Sequence, residues 1–296
     1  MHDPRIDQLA AVLLDHSCQL QAGEKILIEA FDLPEPQLVT ALIEYAVQRG
    51  AMPTVSIKQN AVLRSLYRTA TVESMQFASE LEAARMRQVQ AYIGIRGAAN
   101  SSQFVDVPHE KMDLFQKHWW KPVHGSIRVP ETKWVVLRYP TDSFAQAANM
   151  STAAFEDFYF DVCTADYAAM AEAQAPLVAR MEAASRVRIT APETELEFSI
   201  AGIPVIPCNG DRNIPDGEVF TAPVRDSING RIKFNTQSRY QGVVFSDVAF
   251  EFENGKIVGA TANDTPRLNA ILDSDEGGRY CGAWSLGTNN RVRHPM

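Results

Sequence analysis

Ile26-Leu27-Ile28-Glu29-Ala30, then Phe31-Asp32-Leu33-Pro34-Glu35-Pro36, then a helical face of Leu38, Val39, Leu42, Tyr45 and Ala46, then Thr54-Val55-Ser56-Ile57: this stretch decides the fold. The first run is short and β-rich, the second is a loop able to start a helix, and Gly50 stops that helix before the next strand. Strand, helix and strand in that order build a parallel sheet. The pattern repeats outward. Residues 4–20 place Ile6, Leu9, Ala10, Leu13 and Leu14 at helical spacing, with Gly23 as the exit. Residues 62–86 read as helix, Ala91-Tyr92-Ile93-Gly94-Ile95-Arg96 as a third strand, residues 106–119 as helix, and Trp134-Val135-Val136-Leu137-Arg138 as a fourth strand. The reading predicts an open, doubly wound α/β unit over residues 1–185.

Residues 164–184 form an alanine-rich helix in which Pro176 marks a break or a second start. From Val187 the period changes to two. Val187, Ile189, Leu196, Phe198 and Ile200 alternate with polar residues, as in half-buried antiparallel strands. Asn254-Gly255 is a hairpin turn, and a helix carrying Leu268, Ile271 and Leu272 follows. Residues 186–296 are therefore expected to form a β-rich α+β unit.

The 296 residues carry a net charge of −8, with 46% hydrophobic and 22% charged residues, and a pI near 5.3. Nucleic acid is disfavoured as a main partner, since phosphate binding needs a basic face. Cys18, Cys163, Cys208 and Cys281 lie far apart, with no C-x-x-C pair. The amino terminus lacks a basic region followed by an apolar core, and no apolar run spans a bilayer. A cytoplasmic chain without membrane contact is the expectation. The loop after the first strand has no glycines for a pyrophosphate, and no P-loop occurs, so the fold class alone names no activity.

Candidate chemistry begins at Asn213-Ile214-Pro215-Asp216-Gly217-Glu218-Val219-Phe220-Thr221-Ala222-Pro223. Proline and glycine set a stiff turn, and Glu218 follows it directly. A fixed carboxylate suits a hard or borderline metal ion; it is equally compatible with a solvated side chain beside a turn. A second run, Asp273-Ser274-Asp275-Glu276-Gly277-Gly278-Arg279-Tyr280-Cys281-Gly282-Ala283-Trp284-Ser285-Leu286-Gly287-Thr288-Asn289, places three carboxylates within four residues. They could feed a metal site or be solvated charges where a helix ends. His2, His16, His109, His118, His124 and His294 show no H-E-x-x-H spacing, and no G-x-S-x-G serine occurs.

Both runs resemble segments of the thermophilic metallo-aminopeptidases of the aminopeptidase T type. Glu218 matches the metal-ligand Glu of a P-x-G-E-V-F-T-A-P-like run. Asp273, Asp275, Glu276, Gly277, Arg279, Gly282, Leu286, Gly287 and Asn289 match a D-x-D-E-G-x-R-x-x-G-E segment followed by L-G-x-N. Tyr139-Pro140-Thr141 with Ala145-Gln146 and Phe155-Glu156-Asp157-Phe158-Tyr159 matches a third segment. The resemblance implies a metal-dependent aminopeptidase that takes peptides, uses divalent ions of the zinc, cobalt or manganese class, two in the complete site, and forms a homodimer. In such an enzyme the metal pair polarises the peptide carbonyl and lowers the pKa of a bridging water, with a Glu as base. Two departures bear on activity. Ala283 stands where the family has a metal-binding Glu, and a methyl group cannot ligate a cation. The family also draws two His and an Asp from beyond the matched segment, whereas this chain ends at Met296. The expectation is an aminopeptidase-type chain, incomplete in its β-rich half, with absent or weak activity of its own. Two rivals remain: a relative of the ring-cleaving non-haem iron dioxygenases, and a non-enzymatic dimerising or binding protein.

Overall fold

The computed structural model describes residues 3–240 and 243–294. His2 and Met296, weighed above, lie outside them. The first part runs α1 (Pro4–Ala11), a wider π-type helix Val12–Ser17, β1 (Lys25–Phe31), α2 (Gln37–Gln48), β2 (Met52–Lys58), α3 (Asn60–Arg68), α4 (Val72–Met86) and β3 (Ala91–Arg96). It continues through α5 (His109–Phe115), a second π-type helix Gln116–Arg128, α6 (Val129–Glu131), β4 (Lys133–Arg138), α7 (Asp142–Ala147), α8 (Thr152–Cys163) and α9 (Tyr167–Glu182). β5 (Arg186–Ala191), β6 (Thr194–Ser199), β7 (Ile206–Cys208), β8 (Asn213–Ile214), β9 (Glu218–Thr221) and β10 (Asn229–Lys233) come next. β11 (Ser238–Tyr240), β12 (Val243–Phe245), β13 (Ala249–Glu253), β14 (Lys256–Thr261), α10 (Thr265–Leu272) and β15 (Trp284–Gly287) complete the described chain.

The first sheet has the order β2-β1-β3-β4-β8, and each neighbouring pair is parallel. Helices cover both of its faces, as the strand–helix–strand reading requires. On one face Ile26, Ile28 and Ala30 of β1 pack with Leu9 and Leu13, Leu38 and Leu42 of α2, and Tyr159 and Phe160 of α8. On the other, Leu27 packs with Tyr67 of α3, Met75 of α4 and Trp119 and Val123 of the second π-type helix. Each fully buried leucine contributes roughly 2 kcal/mol of transfer free energy. The second sheet, β14-β13-β10-β6-β5, is antiparallel throughout and has its own core of Leu196, Phe198, Ile228, Phe252 and Leu268. Asn254 and Gly255, with φ of 47° and 82°, make the two-residue turn that joins β13 to β14.

Several boundaries differ from the periodicity reading. The helix expected over residues 62–86 is two helices. Thr71 accepts a hydrogen bond from the Ser74 N–H at 3.1 Å, and Ser74 Oγ accepts one from the Thr71 N–H at 2.9 Å, a reciprocal cap that starts α4 afresh. Helix continues past residue 119 to Arg128 with Pro122 inside it. Pro176 likewise lies inside the unbroken α9. β8, two residues from beyond position 186, completes the parallel sheet beside β4, pairing Val136 with Asn213 and Leu137 with Ile214.

Candidate active site

β8 carries the chain to the carboxyl edge of the parallel sheet, the edge at which open α/β sheets hold their ligands. The turn that carries Glu218 starts there. The Asp216 carboxylate accepts the backbone N–H of Gly210 at 2.9 Å and of Gly217 at 3.0 Å. Burial pushes Asp216 above the ordinary carboxylate range; those two N–H groups oppose the shift, while Asp211 and Glu218 add to it. Gly217 has φ +129°, a conformation that L-residues avoid.

The second resembling run folds onto this turn. β15 pairs antiparallel with β9, setting Gly287 opposite Glu218 and Trp284 opposite Thr221. The N–H of Thr288 donates to the Gly217 carbonyl at 2.9 Å, and the Asn289 amide donates to the Asp216 carbonyl at 2.8 Å. β7 holds the other edge of β9, with Cys208 opposite Glu218. One side chain joins the three strands from beneath. Gln174 of α9, 1% exposed, places its Nε2 within reach of the Cys208 carbonyl at 3.0 Å, Thr288 Oγ1 at 2.8 Å and the Glu218 carbonyl at 3.3 Å. His16 Nε2 donates to the Asn209 carbonyl next door at 2.7 Å. Gly217 takes the positive φ that the reading of Pro215-Asp216-Gly217 allowed, beside a bend at Pro215. Gln174, inside an alanine-rich helix, carried no sequence signal.

The Glu218 carboxylate is half-buried and takes no hydrogen bond from the described residues. Its negative charge reaches Asp216 and Cys208. Burial first, then Asp216 and Glu218, push the Cys208 thiol up to about 11, so that sulfur stays protonated near neutral pH. Among the described residues no three His, Cys, Asp or Glu side chains converge as a metal-binding group. A metal centre needs three or four donors. Here Glu218 stands with a carboxylate already engaged by two N–H groups and a protonated thiol, so these residues do not complete one.

The other candidates have structural partners. Asp273 ends α10 and binds Arg279 at 2.5 and 2.8 Å, which holds its carboxyl below the ordinary range. Asp275 accepts the Gly277 N–H at 2.6 Å, and Glu276 is exposed. The acidic run is a helix-ending turn clamped by Arg279. Ala283 is exposed and lies just before β15, roughly 13 Å along the strand from the residue facing Glu218. His109 is a surface partner of Asp113 at 3.0 Å, and His294 is exposed beside Phe158. His118 is half-buried in the second π-type helix. His124, in the same helix, accepts a hydrogen bond from Arg128 Nε at 3.0 Å. Burial brings it down to about 4; Glu29 opposes, and Arg128 and Lys58 reinforce the shift.

A model of the family described as thermophilic metalloprotease (M29) matches residues 2–294. The chain belongs to that family. Over 75 residues this M29 chain is 35% identical to aminopeptidase 2 of Geobacillus stearothermophilus and 33% identical to aminopeptidase AmpS of Bacillus subtilis (strain 168). That stretch is 25% of the chain and spans 18% of the length of either relative. In fold it is similar to wild-type AmpT from Thermus thermophilus, with a TM-score of 0.79 at 23% identity over 96% of this chain and 78% of that one. It is also similar to 2,5-dihydroxypyridine dioxygenase from Pseudomonas putida KT2440, with a TM-score of 0.59 at 13% identity over 99% and 79%. The second likeness shows a shared fold and nothing of the chemistry; the family match decides for the metalloprotease line.

Proposed function

We propose that the M29 chain belongs to a metal-dependent aminopeptidase that releases amino-terminal residues from peptides. The complete site would use two divalent ions of the zinc, cobalt or manganese class, with Glu218 as one ligand. The observation that carries this reading is the family match over nearly the whole chain, together with Glu218 held at the carboxyl edge of the parallel sheet by both family-like segments. We further propose a cytoplasmic homodimer organised as units of residues 1–185 and 186–296. In support, the cysteines are free, no helix among the described residues is long and apolar enough to cross a membrane, and each unit has its own core, with β8 reaching across.

The 296 residues alone are proposed to hydrolyse peptides weakly or not at all, because the donors around Glu218 are too few and position 283 is alanine. Purified chain with leucyl amide and added Co²⁺ or Zn²⁺ is expected to stay close to the enzyme-free rate. Turnover in the usual enzymatic range, about 1–1000 per second, overturns the weak-activity reading. Cleavage of an amino-acetylated peptide as readily as a free one overturns the aminopeptidase reading itself.

A further inference from the structure

The second π-type helix, Gln116–Arg128, covers one face of the parallel sheet. Helices with such wide turns are rare and gather at functional sites. Pro122 lies inside this one and removes a backbone donor from it. Trp119, Val123 and Ile127 bury its apolar side among Leu27, Tyr67 and Met75. Two polar side chains one turn apart, His124 and Arg128, also meet the sheet.

Arg128 is only 5% exposed, yet no carboxylate among the described residues binds it. Buried charges ordinarily have an ionic partner. Its guanidinium lies 4.3 Å from the Trp134 ring centre and 5.4 Å from that of Tyr92, and its Nη1 is buried without a hydrogen-bond partner. Its Nε donates to His124 Nδ1 at 3.0 Å. Among the described residues that imidazole is the acceptor the guanidinium has.

A guanidinium stays charged and has only donors. Nδ1 of His124 therefore keeps its lone pair, and the ring is neutral. The ring is half-buried beside Tyr92 at 5.8 Å and Trp120 at 6.0 Å. The charges acting on it are Glu29 from β1, Lys58 from β2, Arg96 from β3 and Arg128 from its own helix. Three of these are cations. The carboxylate is already engaged by Lys58 at 2.6 Å and by the Tyr92 hydroxyl at 2.7 Å, while Glu82 of α4 reaches only Lys58, at 3.3 Å, and Arg85. A proton on Nδ1 would delete the Arg128 hydrogen bond and leave two cations in contact.

We infer that the His124–Arg128 contact is an acid-sensitive latch: a proton on His124 undocks the second π-type helix while the parallel sheet stays folded. Released, the imidazole titrates in its ordinary range; docked, it resists the proton. The undocked state thus binds more protons. Docking is strongest above about pH 6.5, the ordinary imidazole value, and is lost as pH falls toward 4.

The test is amide hydrogen exchange of the intact chain at pH 6.5 and pH 4, corrected for the intrinsic exchange rates. Protection of residues 116–128 is expected to fall at least about 10-fold, with residues 25–31 of β1 still protected. His124→Gln offers Arg128 a carbonyl acceptor that does not titrate, so its helix should keep its protection at pH 4. Glu29 is present in both proteins, so a loss that persists in His124→Gln belongs to the carboxylate and overturns the inference. So does unchanged protection in the parent, or β1 losing protection in step with the helix. Should His124→Gln lower the thermal midpoint at pH 7 by more than a few degrees, proton NMR of the parent decides instead. A His124 midpoint well below 6.5 that coincides with the loss of protection supports the latch, and one at or above 6.5 overturns it.

Discussion

Replacing Glu29 with alanine is expected to remove about 3–5 kcal/mol of folding stability, read by urea denaturation at neutral pH. Glu29 lies in the middle of β1 and is 1% exposed. Its carboxylate accepts from Lys58 Nζ at 2.6 Å and from the Tyr92 hydroxyl at 2.7 Å. Burial alone would raise its pKa. The Lys58 charge and hydrogen bond, then the Tyr92 hydroxyl, outweigh burial and hold it below the ordinary value. Glu29 is therefore ionised inside the sheet. Truncation would leave a lysine between the Phe31 and Trp119 rings with Glu82 as its remaining anion, and a buried phenol without an acceptor. Glu29→Gln keeps the shape and one acceptor, so it should lose less. The pH dependence follows from the lowered pKa. The carboxylate's contribution is fully present above its unfolded pKa and is lost as pH falls through the lower folded pKa. A loss under about 1 kcal/mol in Glu29→Ala would show that the pair is not buried as described.

Gly217→Ala is expected to cost about 2–4 kcal/mol, the sum of a disfavoured backbone and an overfilled contact. Its φ of +129° is glycine territory. A Cβ there would lie 2.4 Å from the Asn289 Cβ and 3.0 Å from its N. Both neighbours belong to the docked segment, so relief requires β15 to move away from β9. Asn289→Ala removes the 2.8 Å bond to the Asp216 carbonyl and should cost about 1 kcal/mol. The double variant should lose less than the sum, because both changes release the same contact. Additive losses would show that the turn and the docked segment are independent.

The fold was legible where one signal covered many residues. Alternating strand and helix over Ile26–Ile57 gave the parallel sheet, and the change of period at Val187 gave the antiparallel one. A two-residue signal also held: Asn254-Gly255 turns the hairpin. What stayed hidden depends on partners distant in sequence. β8 is two residues long, inside a stretch that reads as turn, and only the exposed edge of β4 makes it a strand. Pro176 reads as a break or a second start, yet α9 runs through it; the helix expected to end at residue 119 likewise continues through Pro122. Glu29 looks like a polar interruption of an apolar run; Tyr92, 63 residues on, explains it. At the site, Glu218 and the Leu286-Gly287-Thr288-Asn289 run were visible as motifs. That they pair directly, with Gln174 bonded to both, was not. The acidic run from Asp273 to Glu276 drew attention by charge density, and Arg279 accounts for it.

Cobalt titration of the chain beside its Glu218→Gln variant tests most directly whether Glu218 is a lone donor at the sheet edge. Weak binding, with a dissociation constant above roughly 10 µM, that disappears in Glu218→Gln is the predicted result. Tight binding in the nanomolar range, or binding that the variant leaves unchanged, would contradict it.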